Sequence, residues 1–170
     1  MAKIGIFFGS TTEMTAIAGE SIKNEFENYD HEIDLFDVGM VGLSPISNYK
    51  NIIIGCPTWN VGDLQDDWDM LYNDFKKIDF TNIVGAFFGA GDQMGYSYNY
   101  LDAVGILARA FTAGGGELIG TWPIDGYEFE ESLAVEKNKF LGLALDYENQ
   151  DSESEIRIKK WVHQINNEFK

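Results

Sequence analysis

The residues best suited to chemistry in this sequence form a loop of glycine and hydroxyl side chains between a predicted strand and a predicted helix. The loop follows the apolar run Ile4–Phe8 and reads Gly9-Ser10-Thr11-Thr12-Glu13-Met14-Thr15. Backbone N–H groups at the start of a helix, the positive end of its dipole and nearby hydroxyls together bind an anion. The loop has no Lys, Arg or His, so neutral donors would hold a phosphate here, which suits a tightly bound cofactor. The alternative is a polar turn in which Thr11 or Thr12 only caps the helix.

Two other kinds of phosphate site do not fit the spacing. A Walker A loop needs Gly-Lys where this chain has Glu13-Met14, which argues against nucleoside triphosphate hydrolysis. The dinucleotide fingerprint needs three glycines after the first strand, and only Gly9 is present. A second candidate, Gly89-Ala90-Gly91, is followed by Met94 where the third glycine should stand, so a pyrophosphate site is weakly supported.

Two aromatic residues lie on further loops that follow strands. Trp59 belongs to Pro57-Thr58-Trp59-Asn60-Val61-Gly62, and Tyr96 ends Gly91-Asp92-Gln93-Met94-Gly95-Tyr96. Neither residue lies on the apolar stripe of a helix or strand, which would bury its ring. Because an exposed aromatic ring is unfavourable, we expect a ligand to cover both. Two rings beside one crevice can hold a flat ligand between them. The alternative is that each ring packs on its own loop.

Alternating apolar runs and helical patterns must position these loops. The pattern predicts strands at Lys3–Phe8, Glu32–Asp37, Asn51–Cys56, Asn82–Gly89, Glu117–Trp122 and Leu141–Leu145. It predicts helices at about Thr12–Glu27, Gln65–Lys76, Tyr100–Ala113 and Ser154–Phe169, with Ile17, Ile22 and Phe26 of the first facing the sheet. Such a βαβ series forms a doubly wound parallel α/β sheet with helices on both faces, and its ligands bind at the carboxyl ends of the strands. The three loops therefore meet at one edge.

Composition narrows the class of protein. The 170 residues fit one domain, 1–170, and their net charge of -16 disfavours nucleic acid and anionic membranes and favours basic partners, although solubility alone is an alternative. The lone Cys56 allows no disulfide or CxxC pair, and His31 and His163 are expected at the surface, so no metal site is predicted. No apolar stretch is long enough for a membrane span or signal peptide. We expect a cytoplasmic monomer without membrane insertion.

The three loops together resemble those of a known family. Gly-Ser-Thr-Thr-x-x-Thr after the first strand, Pro-Thr-Trp-Asn-x-Gly-x-Leu-Gln-x-Asp-Trp after the third and Gly-x-Gly-Asp-Gln-x-Gly-Tyr after the fourth are similar to the long-chain flavodoxins of cyanobacteria and algae. The resemblance covers nearly the whole chain, from the first loop through Thr121-Trp122-Pro123 to Leu143-Ala144-Leu145-Asp146. It implies a five-stranded parallel sheet of order 2-1-3-4-5, whose last strand is split by a long-chain insertion.

The resemblance also implies a cofactor and a site. The cofactor would be non-covalent FMN, which cycles between quinone, neutral semiquinone and hydroquinone, and Ser10, Thr11, Thr12 and Thr15 would hold its phosphate. Trp59 and Tyr96 would sandwich the isoalloxazine, and the Asn60–Val61 peptide would turn its carbonyl toward N5–H of the semiquinone. The pyrimidine edge would meet Asp92 and Gln93, and the ribityl chain would meet Asp146. The remaining residues expected at the site are Glu13, Met14, Pro57, Thr58, Gly62, Gly89, Ala90, Gly91 and Gly95.

The implied function is a low-potential one-electron carrier that replaces ferredoxin, without catalytic residues. The implied partners are basic redox proteins such as ferredoxin-NADP reductase and photosystem I. The alternative is a flavodoxin-like NAD(P)H-dependent quinone or flavin reductase, which needs room over the flavin that Tyr96 would block. A response regulator would need acidic residues where Gly9-Ser10 and Pro57-Thr58 stand.

Two parts of the sequence depart from the family pattern, and carboxylates cluster around the flavin loops. Glu13-Met14 replaces Gly followed by Asn or Lys, so we expect Glu13 to point outward, and Ala90 stands where Thr is common. Carboxylates without cations surround the two flavin loops and would make the second reduction of FMN strongly unfavourable. They are Asp63, Asp66, Asp67, Asp69, Asp92 and Asp102.

Overall fold

A central parallel sheet organises the chain, and a computed structural model describes all residues from Met1 to Lys170. Its strands are β1 (Lys3–Phe8), β2 (Glu32–Asp37), β3 (Asn51–Gly55), β4 (Val84–Ala90), β5 (Glu117–Leu118) and β6 (Leu143–Leu145). The order is β2-β1-β3-β4, and both β5 and β6 pair with the outer edge of β4. Every pair is parallel, as the βαβ pattern predicts.

The fifth position of the sheet is shared by two short strands. β5 pairs with the start of β4 at Val84 and Gly85, whereas β6 pairs with its end from Phe88 to Ala90. The predicted order 2-1-3-4-5 with a split last strand is therefore confirmed. The predicted strand Glu117–Trp122 is too long, because the chain turns away from the sheet at Gly120, which has φ of +78°.

Residues 119–142 form the insertion between β5 and β6. Within it, Trp122–Pro123, Lys139–Phe140 and Val135–Glu136 make a small antiparallel sheet in that order. The Tyr127 hydroxyl donates to the Ala144 carbonyl (2.6 Å) and accepts from Trp122 Nε1 (2.9 Å), and burial raises the pKa of Tyr127 to about 12. The Arg157 guanidinium stacks over the Tyr127 ring at 4.1 Å. These contacts hold the insertion against the end of the sheet.

Four helices cover the two faces of the sheet: α1 (Met14–Phe26), α2 (Asp66–Phe75), α3 (Asp102–Ala113) and α4 (Ser154–Ile165). α1 and α4 contribute Ile22, Phe26 and Trp161 to one hydrophobic core. α2 and α3 contribute Trp68, Phe75 and Phe111 to the other. The two cores are separate because side chains alternate across the strands, so that Ile6 of β1 faces the first and Phe7 the second. Shorter elements are a helical turn at Val38–Val41, 3₁₀ segments at Ser44–Asn48 and Asp151–Glu153, and a hairpin of Thr58–Trp59 with Asp63–Leu64.

Two side-chain predictions fail. Ile17 is 46% exposed, because α1 buries the stripe Thr15, Ala18, Gly19, Ile22 and Phe26, and residue 17 lies nearly half a turn of the helix away from the centre of that stripe. His31 is half-buried rather than at the surface. Its Nδ1 accepts from the Ala2 N–H (3.1 Å) and its Nε2 donates to the Asn166 carbonyl (3.0 Å).

The helices are also short relative to a lipid bilayer. None combines the length and the apolar character needed to cross a membrane.

Candidate functional site

A groove of about 320 Å³ lies at the carboxyl edge of the sheet, where the loops after β1, β3, β4 and β6 meet. Its walls contain ten residues predicted from the sequence and two that were not, Tyr147 and Glu148. The ten are Thr12, Met14, Pro57, Thr58, Trp59, Asn60, Ala90, Gly91, Asp92 and Tyr96. The rule that ligands bind at the carboxyl ends of strands therefore brings the predicted loops to one place.

The loop after β1 carries unused hydrogen-bond donors. None of the backbone N–H groups from Ser10 through Ala16 donates to a protein acceptor. Two hydroxyls of this loop, Ser10 Oγ and Thr15 Oγ1, are buried without a partner, among only five such side-chain atoms in the chain. Because buried polar groups are nearly always paired, this concentration of orphaned donors indicates a place for an anion. Neither the loop nor the groove lining contains a cation.

Glu13 has an unusual backbone conformation in this loop. It occupies the N-cap of α1 with φ of +68°, in the left-handed region, and its side chain makes no capping hydrogen bond. The side chain is exposed and does not line the groove. It borders a neighbouring depression, whose lining also includes Ser10, Thr11, Glu20 and Asp37.

Replacing Glu13 with glycine is expected to stabilise the protein by about 1 kcal/mol, because glycine adopts the left-handed region without the steric penalty of a Cβ. Urea unfolding of the two proteins measures the difference. Glu13→Gln is the control, since it removes the charge but keeps the Cβ. Its stability should stay within about 0.5 kcal/mol of the parent. Equal stabilisation by both variants would show that charge, not backbone strain, is the cause.

The aromatic walls of the groove are Trp59 and Tyr96. Trp59 is half-buried on the hairpin, and Tyr96 is 48% exposed. The hairpin turns through Asn60 (φ +47°) and Gly62 (φ +88°), and a Cβ at Gly62 would lie 2.7 Å from Asp102 Oδ2. Glycine is therefore required at position 62, and the hairpin is seated closely on the start of α3.

The Thr58 hydroxyl has a structural partner of its own. It accepts from the Ala103 N–H (3.1 Å) and so caps α3. Although Thr58 lines the groove, this acceptor role already fixes its oxygen.

Asp92 shapes the loop that carries Tyr96. Its Oδ1 accepts from the backbone N–H groups of Gly95 (2.7 Å) and Met94 (3.1 Å) and from Asn149 Nδ2 (2.8 Å). The Gly95 bond is the main reason that the pKa of Asp92 lies below its usual value, and the Asn149 bond adds to the effect. A negative charge at the groove is therefore maintained.

The side chains of Gln93 and Asp146 do not reach the groove, contrary to the contacts expected from the family. Gln93 is buried, and it donates from Nε2 to Asp146 Oδ2 (2.8 Å) and accepts at Oε1 from the Glu128 N–H (2.6 Å). Asp146 is fully buried and also accepts from the backbone of Gln93, Glu148 and Asn149 and from Asn149 Nδ2. Both residues instead fix the loop after β4 to the insertion and to the loop after β6.

The prediction that Asp102 is one of the carboxylates around the flavin loops is also wrong. Asp102 is 3% exposed, and it accepts from the Leu133 N–H (2.7 Å) and from Asn99 Nδ2 (3.1 Å), so it anchors the insertion. Carboxylates still surround the groove: Asp92 and Glu148 line it, and the exposed Asp63 pairs across the hairpin with Trp59. Since no Lys or Arg lines the groove, its field is negative.

Comparisons with known proteins agree with this geometry. The family model described as flavodoxin matches residues 6–161. Flavodoxin from Synechococcus elongatus is 47% identical over 169 residues, which cover 99% of both chains, and flavodoxin from Synechocystis sp. is 46% identical over 165 residues, 97% of this chain and 96% of the other. The solved structure of Fusobacterium nucleatum flavodoxin bound to flavin mononucleotide superposes with a TM-score of 0.94 at 32% identity and covers all of both chains. The chain therefore belongs to the flavodoxin family.

Proposed function

We propose that this chain is a low-potential one-electron carrier that binds FMN non-covalently in the groove and exchanges electrons with protein partners in place of ferredoxin. The observation that carries the proposal is the set of orphaned donors in the loop after β1, beside a groove walled by two aromatic rings. The donor set suits a phosphate ester, and the walls suit a flat ring system. The FMN bound to the Fusobacterium relative supports the same assignment. All of residues 1–170 serve as one FMN-binding domain.

In this proposal the loop after β1 holds the cofactor by its phosphate. Ser10, Thr11, Thr12 and Thr15 donate hydroxyl hydrogen bonds, and the N–H groups of the loop donate the rest. The backbone around Glu13 and Met14 forms the start of the helix that faces the anion. Neutral donors bind the phosphate without offering a group that would activate it for transfer.

The other loops orient the ring system. Trp59 and Tyr96 cover its faces, and the Asn60–Val61 peptide presents its backbone at the ring edge. FMN supplies the one-electron chemistry, while these side chains exclude water and the surrounding carboxylates set the potential. The backbone of the adjoining residues completes the walls, namely Pro57, Thr58, Gly62, Gly89, Ala90, Gly91, Asp92, Gln93 and Gly95. Asp146 contributes by fixing the loop that includes Gln93.

In this proposal the protein is a cytoplasmic monomer. Its partners are basic redox proteins such as ferredoxin-NADP reductase and photosystem I, which would bind it through a basic docking face. The support is electrostatic, since the exposed carboxylates at the groove attract a basic face. The reductase alternative lacks comparable support, because no Lys or Arg lines the groove to bind a nicotinamide phosphate.

Stepwise anaerobic reduction of the FMN-loaded protein tests the proposal. A carrier of single electrons is expected to show a long-wavelength absorption band that rises during the first electron equivalent and falls during the second. Free FMN under the same conditions is the control. Direct two-electron reduction without that band would contradict the carrier function, and failure to take up FMN would contradict the cofactor assignment.

A further inference from the structure

Gln65 connects the start of α2 to the phosphate loop. It is 1% exposed and is the N-cap of α2, where Oε1 accepts from the Trp68 N–H (3.4 Å). Its Nε2 donates to Thr11 Oγ1 (3.1 Å) and to Asp67 Oδ2 (2.8 Å). Gln65 is buried and its amide oxygen and N–H bonds are all directed to protein groups, so any effect on a ligand must pass through another residue.

The partners of Gln65 fix which end of its amide is the nitrogen. A carboxylate accepts only, so the atom beside Asp67 is the donor, and the backbone N–H of Trp68 requires an acceptor at the other end. Both N–H bonds of the amide are thereby used. Close packing holds this arrangement, because even a Cβ on Gly9 would come within 2.3 Å of Gln65 Oε1.

This polarity determines what the Thr11 hydroxyl can do. A hydroxyl has one hydrogen to donate, and the Thr11 oxygen is already an acceptor for Gln65. Its hydrogen is given to no protein acceptor. The amide therefore leaves Thr11 as a donor to whatever anion the loop holds.

We propose that Gln65 is a positioning residue that sets the preference of this protein for a phosphorylated flavin over the unphosphorylated one, by holding Thr11 as a hydrogen-bond donor toward the phosphate. The inference rests on the proposed FMN site and adds to it a determinant outside the groove. In a loop without cations, the orientation of each neutral donor contributes a large share of the selectivity.

The test variant exchanges the donor and acceptor in the hydrogen bond between residue 65 and Thr11 and leaves the net charge of the protein unchanged. In Gln65→Glu combined with Asp67→Asn, the new carboxylate can accept from the new amide at position 67, from the Trp68 N–H and from Thr11. The Thr11 hydrogen then turns toward this carboxylate and away from the phosphate. We expect FMN to bind about tenfold more weakly, with riboflavin binding within about twofold of the parent, as measured by quenching of flavin fluorescence.

The same double substitution in a Thr11→Val background separates positioning from simple charge repulsion. With the Thr11 hydroxyl gone, Q65E/D67N should lower the FMN-to-riboflavin affinity ratio by less than about twofold. A tenfold loss that persists without that hydroxyl would overturn the inference, because Gln65 would then act on the phosphate through charge. Asp67→Asn alone is the control, since the amide oxygen introduced at position 67 still accepts from Gln65, and its ratio should not change.

A variant without a new charge covers the case in which Q65E/D67N does not fold, as judged by circular dichroism. In Gln65→Met the Thr11 hydroxyl is no longer held as an acceptor, and the affinity ratio should fall about threefold. An unchanged ratio in that folded variant would overturn the inference.

If the parent chain binds neither flavin, the proposed function fails first. If both flavins bind and all Gln65 variants lose them equally, only this inference fails.

Discussion

Replacing Thr15 with valine is expected to stabilise the flavin-free protein and, at the same time, to weaken FMN binding by about 10- to 100-fold. Thr15 is 1% exposed, and its hydroxyl has no partner in the protein. An unsatisfied buried hydroxyl costs about 1–3 kcal/mol, which the isosteric methyl group of valine removes. The same hydroxyl, once bonded to a phosphate oxygen, contributes about 1.5–3 kcal/mol to binding. Urea unfolding without flavin and fluorescence titration with FMN measure the two effects.

Ser154 provides a matched control for the Thr15 substitution. Its hydroxyl is also buried without a partner, but it lies at the start of α4 and not in the phosphate loop. Ser154→Ala should leave FMN affinity unchanged, whatever its effect on stability. If Thr15→Val left FMN affinity equally unchanged, the loop after β1 would not be the phosphate site. If it destabilised the flavin-free protein, the hydroxyl would already be satisfied there.

The order of strands and helices along the chain was predictable, because each element depends on a local sequence pattern. The apolar run Asn51–Gly55 is buried at every position, and the stripe around Ile22 and Phe26 has helical spacing. The parallel direction of the strands and the meeting of the loops at one edge follow from the βαβ connectivity, whereas the strand order 2-1-3-4-5 was implied by the family resemblance. The length of β5 was not predictable, because the turn at Gly120 is decided by contacts of the insertion with α4, such as the bond from Trp161 Nε1 to the Gly120 carbonyl (2.8 Å).

The direction of polar side chains at the site was less predictable than their position. Gln93 and Asp146 lie in the correct loops, but their hydrogen bonds join residues 53 positions apart and draw both side chains inward. Asp102 is buried because it pairs with the Leu133 N–H of the insertion. No local pattern encodes such partners, so a carboxylate predicted for the surface can instead anchor a loop.

The sequence offered different signals for the two groove-lining residues that the sequence analysis missed and for the proposed positioning residue Gln65. Tyr147 and Glu148 directly follow β6, so the rule of carboxyl strand ends applied to the fourth loop would have found them. Gln65 precedes an acidic first turn, which marks the start of α2, but glutamine is not a residue preferred at the N-cap. Its bond to Thr11 is not recognisable, because that residue is 54 positions away.

Neutralising the three carboxylates nearest the groove is expected to raise the midpoint potential for the second electron by about 100 mV. The variant is Asp63→Asn, Asp92→Asn and Glu148→Gln, in which the amide introduced at position 92 keeps an oxygen for the Met94 and Gly95 N–H groups. A unit charge about 10 Å away contributes about 0.8 kcal/mol at an effective dielectric constant of about 40. That equals about 35 mV for one electron, so three charges give about 100 mV. Removing negative charge favours adding an electron, and potentiometric titration measures the rise.

An equal change of net charge at the opposite edge of the sheet separates local field from total charge. Glu27, Asp30 and Glu168 are exposed beyond the carboxyl ends of α1 and α4, and α1 alone spans about 20 Å. Because exposed charges are screened beyond about 10 Å at 0.1 M salt, E27Q/D30N/E168Q should shift the potential by less than about 20 mV.

Equal shifts in both triple variants would assign the effect to net charge. No shift in the groove variant would mean that the potential of the bound flavin is set by hydrogen bonds and ring packing rather than by these carboxylates. A rise that shrinks with added salt would identify the carboxylates as the source of the low potential.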